Sequence, residues 1–254
     1  FVVWDIGKRA VRFMSNPMGC SVPALNLSPD GRMLRATFEI SDLDKVNIQS
    51  CDVSPGTDLK STFKLYAGHT GKAINENMVF SADGLRMAQS ARWSSSKIPW
   101  VGYTTVLMAD TKSGQTVQLE RKLVGDQALA ISADGKVLAT GGDARAICFW
   151  DTATGKPAGG SIQSPGPVFS IAISPDDRLL AMGCSDGKVR IRRITDGKAV
   201  AELQGNGGPV EALVFLPDGQ TLVGRTPDLA SRMPGARLWF WNHRQGSVLA
   251  NIRM

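Results

Sequence analysis

The sequence predicts an all-β fold assembled from repeated four-stranded antiparallel meanders. Three observations predict it. Apolar runs are only four to eight residues long and end in Gly, Pro, Asp or Ser, as half-buried or buried strands do. Residues 126–160 alternate such runs with tight turns at Asp134-Gly135, Gly141-Gly142-Asp143 and Thr154-Gly155-Lys156, where glycine supplies the positive φ a hairpin needs. The same mark then recurs along the chain, at Ser28-Pro29-Asp30-Gly31, Ser81-Ala82-Asp83-Gly84, Ser132-Ala133-Asp134-Gly135, Ser174-Pro175-Asp176-Asp177 and Leu216-Pro217-Asp218-Gly219. Successive turns begin 53, 51, 42 and 42 residues apart, and the shorter period suits a unit of four short strands.

The elements follow in order. Residues 1–5 and 10–14 are expected to be the third and fourth strands of a half unit, 1–18. The first complete unit, 19–77, opens with strands at 22–27 and 33–38. A long second-to-third connection, 39–62, carries the turn Pro55-Gly56 and leads to a third strand at 63–66. The next unit, 78–125, begins near Met78, has a connection at 91–103 and a third strand at 106–110. Units 126–165 and 166–207 are the regular ones, with third strands at 147–151 and 189–192. The last, 208–254, begins at 210–215. Its connection is 226–235, its third strand 238–242 and its last strand 247–252.

Trp4-Asp5, Trp150-Asp151 and Trp241-Asn242 each close a third strand, with a Ser-Pro-Asp-Gly-like turn upstream in the complete units. On these residues essentially the whole chain resembles the WD-repeat β-propeller family. The resemblance implies blades of strands a, b, c and d, with a nearest a central channel. It implies five complete blades after an N-terminal half blade, within a ring of seven. The family's Gly-His before strand a is absent from every blade in this reading. Gly68-His69 falls instead in a c–d turn. The position of the closing Trp is Tyr66, Ala109 or Arg192 elsewhere. The family's His–Ser/Thr–Trp–Asp network is therefore incomplete throughout, and apolar packing between blades is expected to hold the ring. An open ring exposes strand edges, so the missing strands are expected from sequence upstream.

Composition agrees with a globular domain with a large core. The chain has 254 residues, 43% hydrophobic and 20% charged. No apolar run reaches the length of a membrane span, and a secretory signal is not expected within these residues. A net charge of +6 permits an acidic partner. Arg190 and Arg192 alternate to one side of their strand and Arg193 to the other, without adjacent aromatics, so nucleic acid is not an expected partner. Of four cysteines, Cys148 and Cys184 are expected to be small buried residues. Cys20 and Cys51 fall in expected loops, and the sequence leaves open whether they pair. The cytoplasm is favoured over an oxidising compartment, where a disulfide would belong.

Catalytic constellations are sparse. His69 and His243 fall in expected c–d turns, read as exposed, with no Ser or Cys partner for nucleophilic chemistry. Gly68-His-Thr-Gly-Lys72 lacks the spacing and the Ser/Thr of a phosphate loop. No catalytic, cofactor or metal residue is assigned. The strongest functional signal is the b–c connections, which all fall at one end of the blades. Insertions gathered at one end mark a binding face. Arg92, Trp93, Ile98, Trp100 and Tyr103 in the second, and Arg225, Arg232 and Met233 at the third, are the candidate partner contacts, because Arg and aromatic anchors dominate protein interfaces. The expected function is a non-catalytic scaffold docking other protein subunits in a larger assembly. The alternative is a propeller enzyme or small-ligand binder. It would use polar groups of the channel strands, of which only Asn26, Ser170 and Glu211 offer themselves.

Overall fold

The computed structural model describes the backbone of residues 2–5, 10–14, 24–27, 33–40, 45–52, 61–66, 73–94, 102–110, 112–119, 123–124, 127–229 and 235–253, and the side chains of 77–90, 104–110, 112–119, 123, 128–229 and 235–253. The described chain is all strand and turn. β1 (Val2–Asp5) and β2 (Ala10–Met14) form a two-stranded sheet. β3 (Ala24–Leu27), β4 (Met33–Ile40), β5 (Lys45–Asp52) and β6 (Ser61–Tyr66) form the next, in sequence order. β7 (Ala73–Phe80), β8 (Arg86–Ser94), β9 (Gly102–Asp110) and β10 (Thr116–Gln118) follow, with β11 (Leu123–Val124) also pairing β9.

The last three sheets are regular four-stranded meanders. They are β12 (Gln127–Ile131), β13 (Val137–Gly142), β14 (Ala146–Asp151) and β15 (Ile162–Gln163); β16 (Val168–Ile173), β17 (Leu179–Cys184), β18 (Lys188–Arg193) and β19 (Ala199–Gln204); and β20 (Ala212–Phe215), β21 (Thr221–Pro227), β22 (Ala236–Asn242) and β23 (Ser247–Arg253). All pairings are antiparallel. First strands of consecutive sheets neighbour one another, β3 to β7 to β12 to β16 to β20. That is a propeller-like stacking of sheets face to face.

Alternation decides what each face buries. A strand sends successive side chains to opposite faces, so a sheet stacked on both sides needs apolar residues at every position. β17 is such a strand, with Leu180, Ala181 and Met182 all fully buried. Ala181 joins Val189, Ile191 and Leu203 against Phe215, Leu222 and Trp241 of the following sheet. Leu180 and Met182 join Ile171 against Ala139, Ile147, Phe149 and Ile162 of the preceding one. A third cluster packs Leu129, Leu138 and Trp150 on Ala88, Val106 and Met108. Trp150 is thus buried between two sheets.

Several expectations are corrected. Residues 39–62 are not an insertion. β4 runs on to Ile40, and β5 is the third strand, paired with β4 from Met33↔Asp52 to Ile40↔Lys45. The run 63–66 belongs to β6, the fourth strand, not the third. Gly68-His69, expected in a c–d turn, follows β6 and precedes β7 in the sequence and lies outside the described residues. The second sheet's first strand starts at Ala73, upstream of Met78. Cys51 stands in β5 opposite Leu34 and Ser61 rather than in a loop, while Cys20 lies outside the described residues. Cys184 is a free, buried thiol, and Cys148 is free and half-buried.

Candidate interaction surface

Each meander has two ends, and they are built differently. The first-to-second strand turns share one device. In Ser81, Ser132 and Ser174 the hydroxyl donates to the Asp two residues on, at 2.6, 2.8 and 2.6 Å. The same oxygen accepts the backbone N–H of Arg86, Val137 and Leu179. Short polar side chains bond locally in this way because the turn leaves main-chain donors unpaired. The fifth turn has Leu216 in place of Ser, and there Asp218 accepts the N–H groups of Gln220 and Thr221 directly. These bonds favour the carboxylate form. The Lys136 N–H, and then the Ser132 hydroxyl, hold Asp134 down to about 2. The Ser174 hydroxyl lowers Asp176, and the Thr221 N–H lowers Asp218.

This turn end is closed on itself. His243, expected to be exposed, is 3% exposed. Its ring lies edge-on to Phe215, with centroids 5.5 Å apart, and its Nε2 is 2.9 Å from the Gly219 carbonyl. The main chain turns the ring inward, so a polar turn sequence gives no sign of its burial.

The opposite end carries the second-to-third strand hairpins. β17 and β18 stay paired only as far as Gly183↔Val189. β8 and β9 continue to Ser94↔Gly102, and β21 and β22 to Pro227↔Ala236. With β4–β5 reaching Ile40↔Lys45, three sheets extend paired ribbons at one end. The ladder takes in residues 91–94, 102–103 and 226–227 of the expected connections, while 95–101 and 230–234 lie outside the described residues.

The candidate contacts distribute as follows. Arg92 and Trp93 stand in β8 and Tyr103 in β9, with Trp93↔Tyr103 and Arg92↔Thr104 in register. Ile98 and Trp100 lie in the connection between these strands, outside the described residues. Arg232 and Met233 also lie outside them. Arg225 stands in β21 opposite Ala212 and Leu238, and its guanidinium pairs with Glu211.

Other residues at this end were not legible in the sequence. Asp228 has a fully buried side chain held by Arg237 Nε at 3.1 Å and Arg253 Nε at 2.7 Å. Its N–H donates to Gly235 O at 2.9 Å, so it clamps the base of the β21–β22 connection. A buried carboxylate persists only with such partners. Phe169 at the start of β16 and Leu229 after β21 are 48% and 62% exposed. Alternation was the available signal for Phe169, which lies between buried Val168 and Ser170.

Polar groups of the first strands are engaged structurally. Ser170 donates to the Val210 carbonyl of the next sheet at 2.7 Å, and Glu211 is the partner of Arg225. Asn26 stands in β3 opposite Arg35. A shallow groove beside β14 and β15 is lined by Cys148, Phe149, Trp150, Pro157, Gly159, Gly160 and Ser161, with no acid–base pair. Among the described residues no group of three or more His, Cys, Asp or Glu could hold a metal ion, and no helix is long and apolar enough to cross a membrane.

Comparison with known proteins agrees with this geometry. The family model "WD domain, G-beta repeat" matches residues 123–151 and 160–192, the first of the three regular sheets and most of the second. Protein groucho of Drosophila melanogaster is 29% identical over 127 residues, 46% of this chain and 15% of that protein. An uncharacterized WD repeat-containing protein, sll1491, of Synechocystis is 36% identical over 121 residues, 46% of this chain and 34% of its own length. WD repeat-containing protein SL1-17 of Schistosoma mansoni is 33% identical over 109 residues, 43% of this chain and 36% of its own. The chain therefore aligns with only a minor part of each relative. Among solved structures, Kuenenia stuttgartiensis hydrazine synthase superposes with a TM-score of 0.55 at 17% identity, covering 70% of this chain and 48% of that one; the likeness is one of fold. The sequence resemblance, expected over essentially the whole chain, is matched over a little under half of it: the chain is a divergent relative of the WD-repeat proteins across that part.

Proposed function

We propose that the chain is a non-catalytic interaction scaffold that docks other protein subunits of a larger assembly through the end bearing the elongated hairpins. The observation that carries this reading is the β8–β9 ribbon, paired as far as Ser94↔Gly102 with Trp93 opposite Tyr103 and Arg92 one step below. Arg and aromatic side chains are the residues that anchor protein interfaces. A paired ribbon also loses less freedom on binding than a loop does. Ile98 and Trp100 belong to the same ribbon's connection. Arg232 and Met233 belong to the matching connection of the last sheet. Arg225, already paired with Glu211, is a secondary contact. Exposed Phe169 and Leu229 add apolar area at that end. A stable docked interface of this kind buries at least about 1,000 Å² in total.

The engaged Ser170 and Glu211 leave the channel-ligand alternative without support from either residue. The test is a Trp93→Ala, Tyr103→Ala double variant, scored for retention in the native assembly and for thermal midpoint. Loss of retention with a midpoint near that of the parent supports the docking end. Undiminished retention removes it. Stoichiometric metal or small-molecule turnover by the purified chain would overturn the non-catalytic reading.

A further inference from the structure

In the middle one of the three regular sheets an arginine stands where its neighbours carry tryptophan. In register, Leu138 opposes Trp150, Leu180 opposes Arg192 and Leu222 opposes Trp241. The three leucines are fully buried, each against the preceding sheet. Side chains directly opposite one another share a face, so Arg192 also points toward the preceding sheet, where Leu180 meets Phe149 and Ile162. The indole N–H of Trp150 donates to the Thr140 hydroxyl, and that of Trp241 to the Gln204 carbonyl. Arg192 has no hydrogen bond and no ion pair among the described residues. It is half-buried, its Nε is shut off from water, and its terminal nitrogens are open. Arg190, two residues earlier on the same face, is the contrast, held by Asp186 at 2.7 Å and Glu202 at 3.2 Å. A buried donor left unmatched costs free energy that an arriving acceptor recovers.

A groove adjoins this arginine. The fourth strand of the preceding sheet, β15, has two residues, against six in β19 and seven in β23. Between the Trp150↔Pro157 bridge and Ile162 the chain leaves the ladder through Gly159, Gly160 and Ser161. Gly159 has a φ of 106°, a backbone that glycine adopts freely. Two grooves of about 530 and 410 Å³ result, and they share Phe149 and residues 159–161. The smaller lies between the sheets, with Val137, Phe149 and Ile162 on one side and Ile194 and Asp196 on the other. Ile194 is two residues beyond Arg192, about 7 Å along the strand, so the groove is within reach of an arginine side chain.

We propose that this groove binds an extended segment of a partner protein, with one Asp or Glu carboxylate on Arg192 and apolar side chains along Phe149 and Ile194. Charge complementarity names the occupant. Arg192 is a cation without a counter-ion, and a guanidinium takes a carboxylate through two parallel bonds. Asp196, held by Arg193 at 2.9 Å, puts a negative charge on the groove wall and disfavours a doubly charged phosphate. The two joined grooves are shallow, which suits an extended chain, whereas a small molecule needs most of its surface enclosed. The site lies toward the turn end, away from the elongated hairpins, and does not rest on the docking reading.

Titration calorimetry of the full chain tests it. The probes are acetylated, amidated pentapeptides Ser-Xaa-Glu-Xaa-Ser, with Leu, Ile, Val or Phe at Xaa, and their Gln counterparts. The best Glu peptide should bind at least about tenfold tighter than its Gln counterpart, the worth of a charge-assisted bond. Arg192→Gln should abolish that preference. Arg192→Trp, which installs the residue of the neighbouring sheets, should abolish it too and gives a second variant expected to fold, as its thermal midpoint will show. Equal binding of Glu and Gln peptides overturns the proposal, as does a preference that survives Arg192→Trp. So does a set in which no peptide binds with a Kd below about 1 mM. Tighter binding of a phosphoserine peptide would assign the groove to phosphate and overturn the carboxylate. Acetate binding as well as the peptides would make Arg192 a site for free carboxylates and overturn the docked segment.

Discussion

The backbone N–H of Ala133 donates to the carboxylate of Asp177 at 2.7 Å, tying two neighbouring sheets together at their turn ends. Asp177 stands where the sister turns have Gly84, Gly135 and Gly219, and it keeps their left-handed backbone, with φ of 56°. Asp tolerates that conformation better than most residues. One residue therefore closes its own turn and caps that of the preceding sheet. Asp177→Ala should cost about 2 kcal/mol, through a strained backbone and a lost bond. Asp177→Gly relieves the strain and loses only the bond, so it should cost about 1 kcal/mol less than Asp177→Ala. Urea midpoints of the two variants measure the difference. Identical losses would show that backbone strain plays no part.

Gly135 and Gly219 occupy the same place in their turns, with φ of 70° and 61°. Their surroundings differ. A Cβ at position 135 would come within 2.9 Å of Arg86 Cγ and 3.1 Å of Ser81 Cβ in the preceding sheet, whereas one at 219 meets nothing within 4 Å. Gly219→Val should therefore cost about 1–2 kcal/mol from left-handed strain alone. Gly135→Val should cost more, since Ser81 must also move. Thermal midpoints that rank the other way would contradict the packing of these two sheets.

Legibility in the sequence followed the strength of the local pattern. The last three sheets were readable because Asp134-Gly135 and Asp218-Gly219, with Asp176-Asp177 between them, recur at 42 residues, each followed by an apolar second strand. The first complete sheet was misread at β5. Val46, Ile48 and Cys51 there are interspersed with Lys45, Asn47, Gln49, Ser50 and Asp52, and weak alternation passed for a polar loop. That shift carried Gly68-His69 to the wrong connection. Contacts across sheets were out of reach in principle. Nothing local to Asp177 says that Ala133, 44 residues away, is its partner. Of the candidate contacts, the sequence placed Trp93 and Tyr103 near one another. Only the β8–β9 register sets them directly opposite.

Acid should loosen the turn end. The carboxyl of Asp134 lies at about 2 in the folded chain against an ordinary value of 3.8, chiefly through the Lys136 N–H and the Ser132 hydroxyl. A carboxyl depressed on folding contributes stability that is complete above its unfolded value and is lost as pH falls through the folded one. The loss from Asp134 therefore runs from 3.8 down to about 2. Asp110, Asp151, Asp176 and Asp218 are lowered too and act in the same direction. Asp134→Asn keeps an acceptor oxygen but does not titrate. The fall in its thermal midpoint between about pH 6 and about pH 3 should be smaller than that of the parent chain. An unchanged fall would mean that Asp134 is not engaged in solution.

Trp150 joins two kinds of stabilisation, and a mutant cycle separates them. Its ring, 3% exposed, packs on Val106, Met108 and Ala88 of the preceding sheet. Its Nε1 donates to the buried Thr140 hydroxyl at 2.9 Å within its own sheet. Trp150→Ala removes both and leaves a cavity, so it should cost about 3–5 kcal/mol. Trp150→Phe keeps much of the packing but leaves the Thr140 hydroxyl without its donor, and Thr140→Val leaves the indole N–H without its acceptor. Each should cost about 1–3 kcal/mol, the penalty of an unsatisfied buried polar group. Combining them removes both polar partners at once. The double variant should then lose less than the sum of the two by about 1 kcal/mol or more. Urea midpoints at constant slope give all three values. Strict additivity would show that the Trp150–Thr140 bond adds nothing beyond the packing of the ring.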